Sequence, residues 1–105
     1  MIVDDSRTIR RVLNHIFDKK IPAIEEVVEC DSGEVALRKL QDIDVDLIIL
    51  DVLMGGIDGY ETCKRIKQEP KTKNTPVIFL TSQVEQSDIV QGFEAGGIDY
   101  ISKPI

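Results

Sequence analysis

The residues in this chain that could do chemistry stand at the ends of apolar runs. Val45-Asp46-Leu47-Ile48-Ile49-Leu50 stops on Asp51, and a stretch rich in turn residues follows, Val52-Leu53-Met54-Gly55-Gly56-Ile57-Asp58-Gly59. Met1-Ile2-Val3 stops on Asp4-Asp5-Ser6, Pro76-Val77-Ile78-Phe79-Leu80 on Thr81-Ser82, and Asp99-Tyr100-Ile101-Ser102 on Lys103-Pro104. Carboxylates gathered at one place repel, so near neutral pH they share a proton or hold a cation. All-oxygen donors suit a hard ion, and a small ligand number suits Mg2+, which keeps waters and often takes a phosphate oxygen. Asp51 at a strand tip could also act as a nucleophile, since aspartyl phosphate is a known covalent intermediate. Lys103 offers a point charge and Thr81 a hydroxyl donor, both suited to the oxygens of a transferred phosphoryl group. Each residue taken singly has a plainer role: Asp51 capping the next turn, Asp5 or Ser6 capping a helix, Thr81 ending a strand, Lys103 lying on the surface. Together they are the parts of a phosphoryl-accepting site.

Those residues are spread over a hundred positions, so the elements must bring them together. The run into Asp51 is too short for a helix and reads as a strand over 45–51, buried on both faces as in parallel α/β sheets. After the first short strand, Ile9, Val12, Leu13, Ile16 and Phe17 recur at helical spacing, and the helix ends before Pro22. Residues 25–30 read as a more polar strand suited to a sheet edge. Asp31 and Glu34 have the spacing of a capping box ahead of Val35, Ala36, Leu37 and Leu40. A third helix over about 60–68 carries Tyr60, Cys63, Ile66 and Lys67, and a fourth over about 86–95 is closed by Gly96-Gly97. The alternation βαβαβαβαβ predicts a doubly wound, five-stranded parallel sheet of the α/β class with right-handed crossovers. In the flavodoxin-like order 2-1-3-4-5, strands one and three are neighbours, and Asp4, Asp5 and Asp51 converge at the switch point.

A length of 105 residues allows one domain. The net charge of −6 argues against direct nucleic-acid binding by this domain, because phosphate contacts need a basic surface. The sequence has no apolar run near 18 residues and no signal-peptide pattern, so the expected location is cytoplasmic, with no membrane partner. Cys30 and Cys63 lack metal-site spacing and read as small buried hydrophobes. His15, alone of its type, makes neither a triad nor a metal site.

Ile2-Val3-Asp4-Asp5-Ser6, Leu47-Ile48-Ile49-Leu50-Asp51, Met54 with Asp58-Gly59, Pro76 to Thr81, and Asp99 to Pro104 resemble the receiver domain of two-component response regulators across the whole chain. The resemblance implies phosphorelay signal transduction in which Asp51 accepts a phosphoryl group from a phosphohistidine on a histidine kinase or phosphotransfer protein. It implies that Asp5 and Asp51 ligate Mg2+ directly, Leu53 through its backbone carbonyl and Asp4 through water. Thr81 and Lys103 would hold the phosphoryl oxygens. Thr81 and Tyr100 match the switch pair, whose movement reaches a downstream output domain or protein through the face of helix four and strand five. Two copies could pair through that face on phosphorylation. The domain is not an enzyme in this reading, beyond its own phosphoryl transfer and autodephosphorylation.

Departures from the family pattern are Gly55, where proline is frequent after the methionine, and Ser82, larger than the usual alanine or glycine. The same resemblance implies that Leu53 and Gln83 occupy positions that tune the lifetime of an aspartyl phosphate. The first strand has only three residues and the family's fifth helix is missing after Ile105, so the 1–105 receiver domain reads as trimmed at both ends. An alternative is a Mg-dependent phosphohydrolase of the haloacid dehalogenase type, which needs an acid–base aspartate where this chain has Leu53. A receiver-like binding module that accepts no phosphate is another, opposed by the complete set of site residues. A flavodoxin would need a phosphate loop after strand one that this sequence lacks.

Overall fold

A computed structural model describes residues 1–20, 24, 26–81 and 86–102. Among them the alternating pattern becomes β1 (Ile2–Val3), α1 (Arg7–Lys20), β2 (Glu29–Cys30), α2 (Gly33–Asp42), β3 (Ile48–Asp51), α3 (Gly59–Gln68), β4 (Val77–Thr81), α4 (Gln86–Glu94) and β5 (Asp99–Ser102). The five strands form one parallel sheet in the order β2-β1-β3-β4-β5. All four residues of β3 are buried, as expected of a mid-sheet strand covered on both faces.

Two apolar clusters sandwich the sheet. The larger joins Val3, Leu50, Val77 and Phe79 to Ala36 and Leu40 of α2 and to Tyr60, Cys63 and Ile66 of α3. The smaller, on the α1 side, is built on Ile2, Leu13, Ile49 and Leu80, with Ile9, Phe17, Val27 and Ile101 partly buried against it. Leu13 faces the sheet, whereas Val12, placed on the same stripe by spacing, lies on the flank and is 36 % exposed. Cys30 and Cys63 are buried free thiols, and His15 is exposed.

Several boundaries differ from the pattern reading. Strand β3 starts at Ile48 and not at residue 45, because only from there does it pair with β4. Strand β2 is limited to Glu29–Cys30, the two residues in register with Ile2 and Val3. Ser32, not Asp31, caps α2: its side chain accepts from the Val35 amide at 3.1 Å, leaving Glu34 in the first turn without the reciprocal role. The expected end of helix one at Pro22 and the start of strand two at Glu25 lie outside the described residues.

Candidate functional site

Register brings the site together. Val3 pairs with Leu50, so the next residues, Asp4 and Asp51, leave the sheet side by side. On the other flank Asp51 pairs with Leu80 and Thr81 with Ser102. One carboxylate oxygen from each of Asp4, Asp5 and Asp51 lies within 4.8 Å of the others. Asp4 has no exposed surface, Asp51 is 3 % and Thr81 4 % exposed, and Asp5 faces solvent. The structure thus unites Asp4, Asp5, Asp51 and Thr81 at one sheet edge. Lys103, Ser82 and Gln83 lie outside the described residues. Leu53 follows β3 in the loop and is 70 % exposed.

The turn from β1 into α1 is held on both sides. Asp4 Oδ1 accepts from the Ser6 amide at 2.8 Å, and Ser6 Oγ accepts from the Ile9 amide at 3.3 Å. Ser6 therefore takes the capping role, and Asp5 is not needed for it. Arg10 Nη1 donates to the Asp4 carbonyl oxygen at 2.7 Å, and its Nε sits 3.3 Å from Glu29 Oε1. Asn14 donates to the other Glu29 oxygen at 3.1 Å. This Arg10–Glu29 brace ties the Asp4 turn to β2. Sequence reading missed it, because an arginine on a basic helix carries no local sign of a partner nineteen positions away.

The loop after Asp51 is fixed by backbone contact. The Val52 amide donates to the Leu80 carbonyl at 3.2 Å, and the Gly59 amide to the Val52 carbonyl at 2.8 Å. A Cβ on Gly59 would overlap the Asp51 carbonyl oxygen and lie 2.8 Å from Val52 Cα. Only glycine allows α3 to start this close to β3. Asp58 caps α3 by accepting from the Glu61 amide at 2.8 Å.

Two nearly buried carboxylates beside a third concentrate negative charge where solvent screens it poorly, and a hard divalent cation would relieve that repulsion. The residues present fit such an ion: the donors are all oxygen, close together and open to solvent on the Asp5 side. Burial raises the thiol of nearby Cys30 above its ordinary value, with the charge of Lys39 opposing.

The family model for the response regulator receiver domain matches residues 1–105. The chain is 42 % identical over 104 residues to the transcriptional regulatory protein ResD of Bacillus subtilis, covering 99 % of this chain and 41 % of ResD. It thus spans about two fifths of that relative's length. The solved structure of the Vibrio cholerae chemotaxis protein CheY4 superposes with a TM-score of 0.91 at 32 % identity, covering 99 % of this chain and 84 % of CheY4. The Mn(2+)-bound form of the response regulator Rcp1 superposes with a TM-score of 0.87 at 27 % identity, covering 98 % of this chain and 78 % of Rcp1.

Proposed function

The chain belongs to the response regulator receiver domain family, and from that membership we propose that Asp51 is its phosphoacceptor. The observation that carries the reading is the meeting of Asp51 with Asp4 and Asp5 at the carboxyl end of the central strand. An Asp51 carboxylate oxygen attacks phosphorus in the phosphohistidine of a histidine kinase or phosphotransfer protein. The O–P bond forms as the P–N bond breaks, and the imidazole leaves. Hydrolysis later returns the carboxylate and inorganic phosphate.

Asp5 and Asp51 with the Leu53 carbonyl would hold the divalent ion, with Asp4 reaching it through water. When bound, the ion offsets the charge of the incoming phosphoryl group. Magnesium is the ion proposed, and the Mn(2+)-bound Rcp1 structure supports a divalent ion in this fold. Thr81 would donate its hydroxyl to one phosphoryl oxygen. Lys103, next in sequence to the Ser102 that pairs with Thr81, would supply the cation for another.

Thr81 and Tyr100 form the proposed switch, read out on the face of α4 and β5 by an output domain or protein, or by a second copy of the chain. Val90 and Phe93 of α4 each leave half of their surface exposed there. No helix among the described residues is long and apolar enough to cross a membrane, and the proposed site of action is the cytoplasm. The phosphohydrolase alternative lacks its acid–base group, because position 53 is an exposed leucine.

Mass spectrometry after incubation with acetyl phosphate and Mg2+ tests the reading. The wild type should gain about 80 Da only with the metal present, and Asp51→Asn should gain nothing. A folded wild type that gains no mass would instead favour the non-phosphorylated binding module.

A further inference from the structure

Tyr100 is held by two residues that the site description leaves unused. Its hydroxyl lies 3.4 Å from that of Tyr60, longer than the usual O–H···O bond. Phe79 is packed between the two rings, 5.1 Å from Tyr60 at 65° and 5.4 Å from Tyr100 at 35°. Tyr60 belongs to the first turn of α3, next to the Gly59 that abuts the Asp51 backbone. On the other side stands Gly92, inside α4, where glycine costs about 1 kcal/mol relative to alanine. A Cβ at Gly92 would overlap the Tyr100 hydroxyl and lie 2.7 Å from its Cζ. That glycine leaves a notch in α4, and the phenol fills it.

We propose that Tyr60 and Gly92 are positioning residues for Tyr100, holding its ring inward. The significance for signalling rests on the reading of Tyr100 as the switch residue. The contacts on α3 and α4 favour the inward rotamer of Tyr100. Because Tyr60 directly follows Gly59, the same turn that sets the Asp51 loop also sets Tyr100.

The chain has two tyrosines and no tryptophan, so 3-fluorotyrosine labelling gives two 19F resonances, assigned with Tyr60→Phe and Tyr100→Phe. Without beryllofluoride, the wild-type Tyr100 resonance should be shielded from a soluble paramagnetic relaxation agent. Tyr60→Phe, which keeps the ring on Phe79 and removes only the hydroxyl, should raise the relaxation of Tyr100 severalfold. Gly92→Ala should raise it to the level of the free amino acid. If Gly92→Ala does not fold, Tyr60→Phe carries the test alone. A merely structural Tyr60 would lower the unfolding midpoint and leave Tyr100 relaxation unchanged, which would overturn the proposal. So would a wild-type Tyr100 as accessible as the free amino acid. Beryllofluoride with Mg2+ that moves neither Tyr100 nor the α4 face, with the shielding otherwise as expected, would overturn the switch reading and leave the positioning by Tyr60 and Gly92 standing.

Discussion

Gly59 touches the backbone of Asp51 so closely that a single methyl group between them would overlap the Asp51 carbonyl oxygen. The contact is backbone against backbone, so no side-chain rotation can relieve it. The helix that follows the proposed phosphoacceptor is thereby seated directly on the strand that carries it.

Gly59→Ala should therefore push α3 away from β3, at a cost of about 1–3 kcal/mol from overpacking. Urea unfolding would show the loss as a lower midpoint at unchanged slope. Acetyl phosphate labelling of the still-folded variant should be slower than wild type, because the loop after Asp51 moves with the helix.

Asp4→Asn removes one of two nearly buried charges at the site while keeping its shape. Relief of like-charge repulsion should leave the metal-free variant at least as stable as wild type. Addition of Mg2+ should then stabilise the variant less than the wild type, which gains about 2.7 kcal/mol at a metal concentration of 100 Kd. Thermal melts with and without the metal check both signs.

Arg10 serves the Asp4 carbonyl and Glu29 with one guanidinium, and its side chain is only 15 % exposed. Arg10→Ala should cost about 1.5–3 kcal/mol, the usual range for hydrogen bonds to charged groups. Arg10→Lys should recover only part of that, because a single ammonium cannot reproduce the two-sided fork. Denaturant melts of the three proteins give the order.

Burial pushes the Cys63 thiol up to about 11 from its ordinary 9.0, with Lys67 opposing. Its Sγ donates to the Ala95 carbonyl oxygen at 3.3 Å. A raised pKa in the folded state means that the native protein keeps a proton the unfolded chain gives up. This contribution to stability is complete below pH 9 and falls away as pH rises through about 11. Stability measured from pH 8 to 11 should decline less steeply in Cys63→Ala than in wild type, and thiol reagents at pH 8 should label Cys63 only as the protein unfolds.

The order of strands and helices, the sheet class and the small polar groups at the strand ends were legible in the sequence. Each is written locally, in a period of apolar residues or in the point where an apolar run stops. The buried thiols were legible because neither cysteine has metal-site spacing. Local patterns failed at places where two neighbours could serve equally well, as where Ser32 and not Asp31 caps α2. They failed again on Val12, since a helical stripe does not say where the sheet will meet it.

Tertiary structure alone decided the pairings. The register of Val3 with Leu50 brings Asp4 to Asp51 across 47 positions. The Arg10–Glu29 brace and the approach of Tyr60 to Tyr100 against Gly92 likewise join segments far apart in the chain. The sequence by itself determined which residues stand at the strand ends, because hydrophobic periodicity acts on neighbours along the chain. Which of those ends touch was decided by packing of the sheet and its two helical layers, where complementarity of shape and charge operates between residues that no local pattern connects.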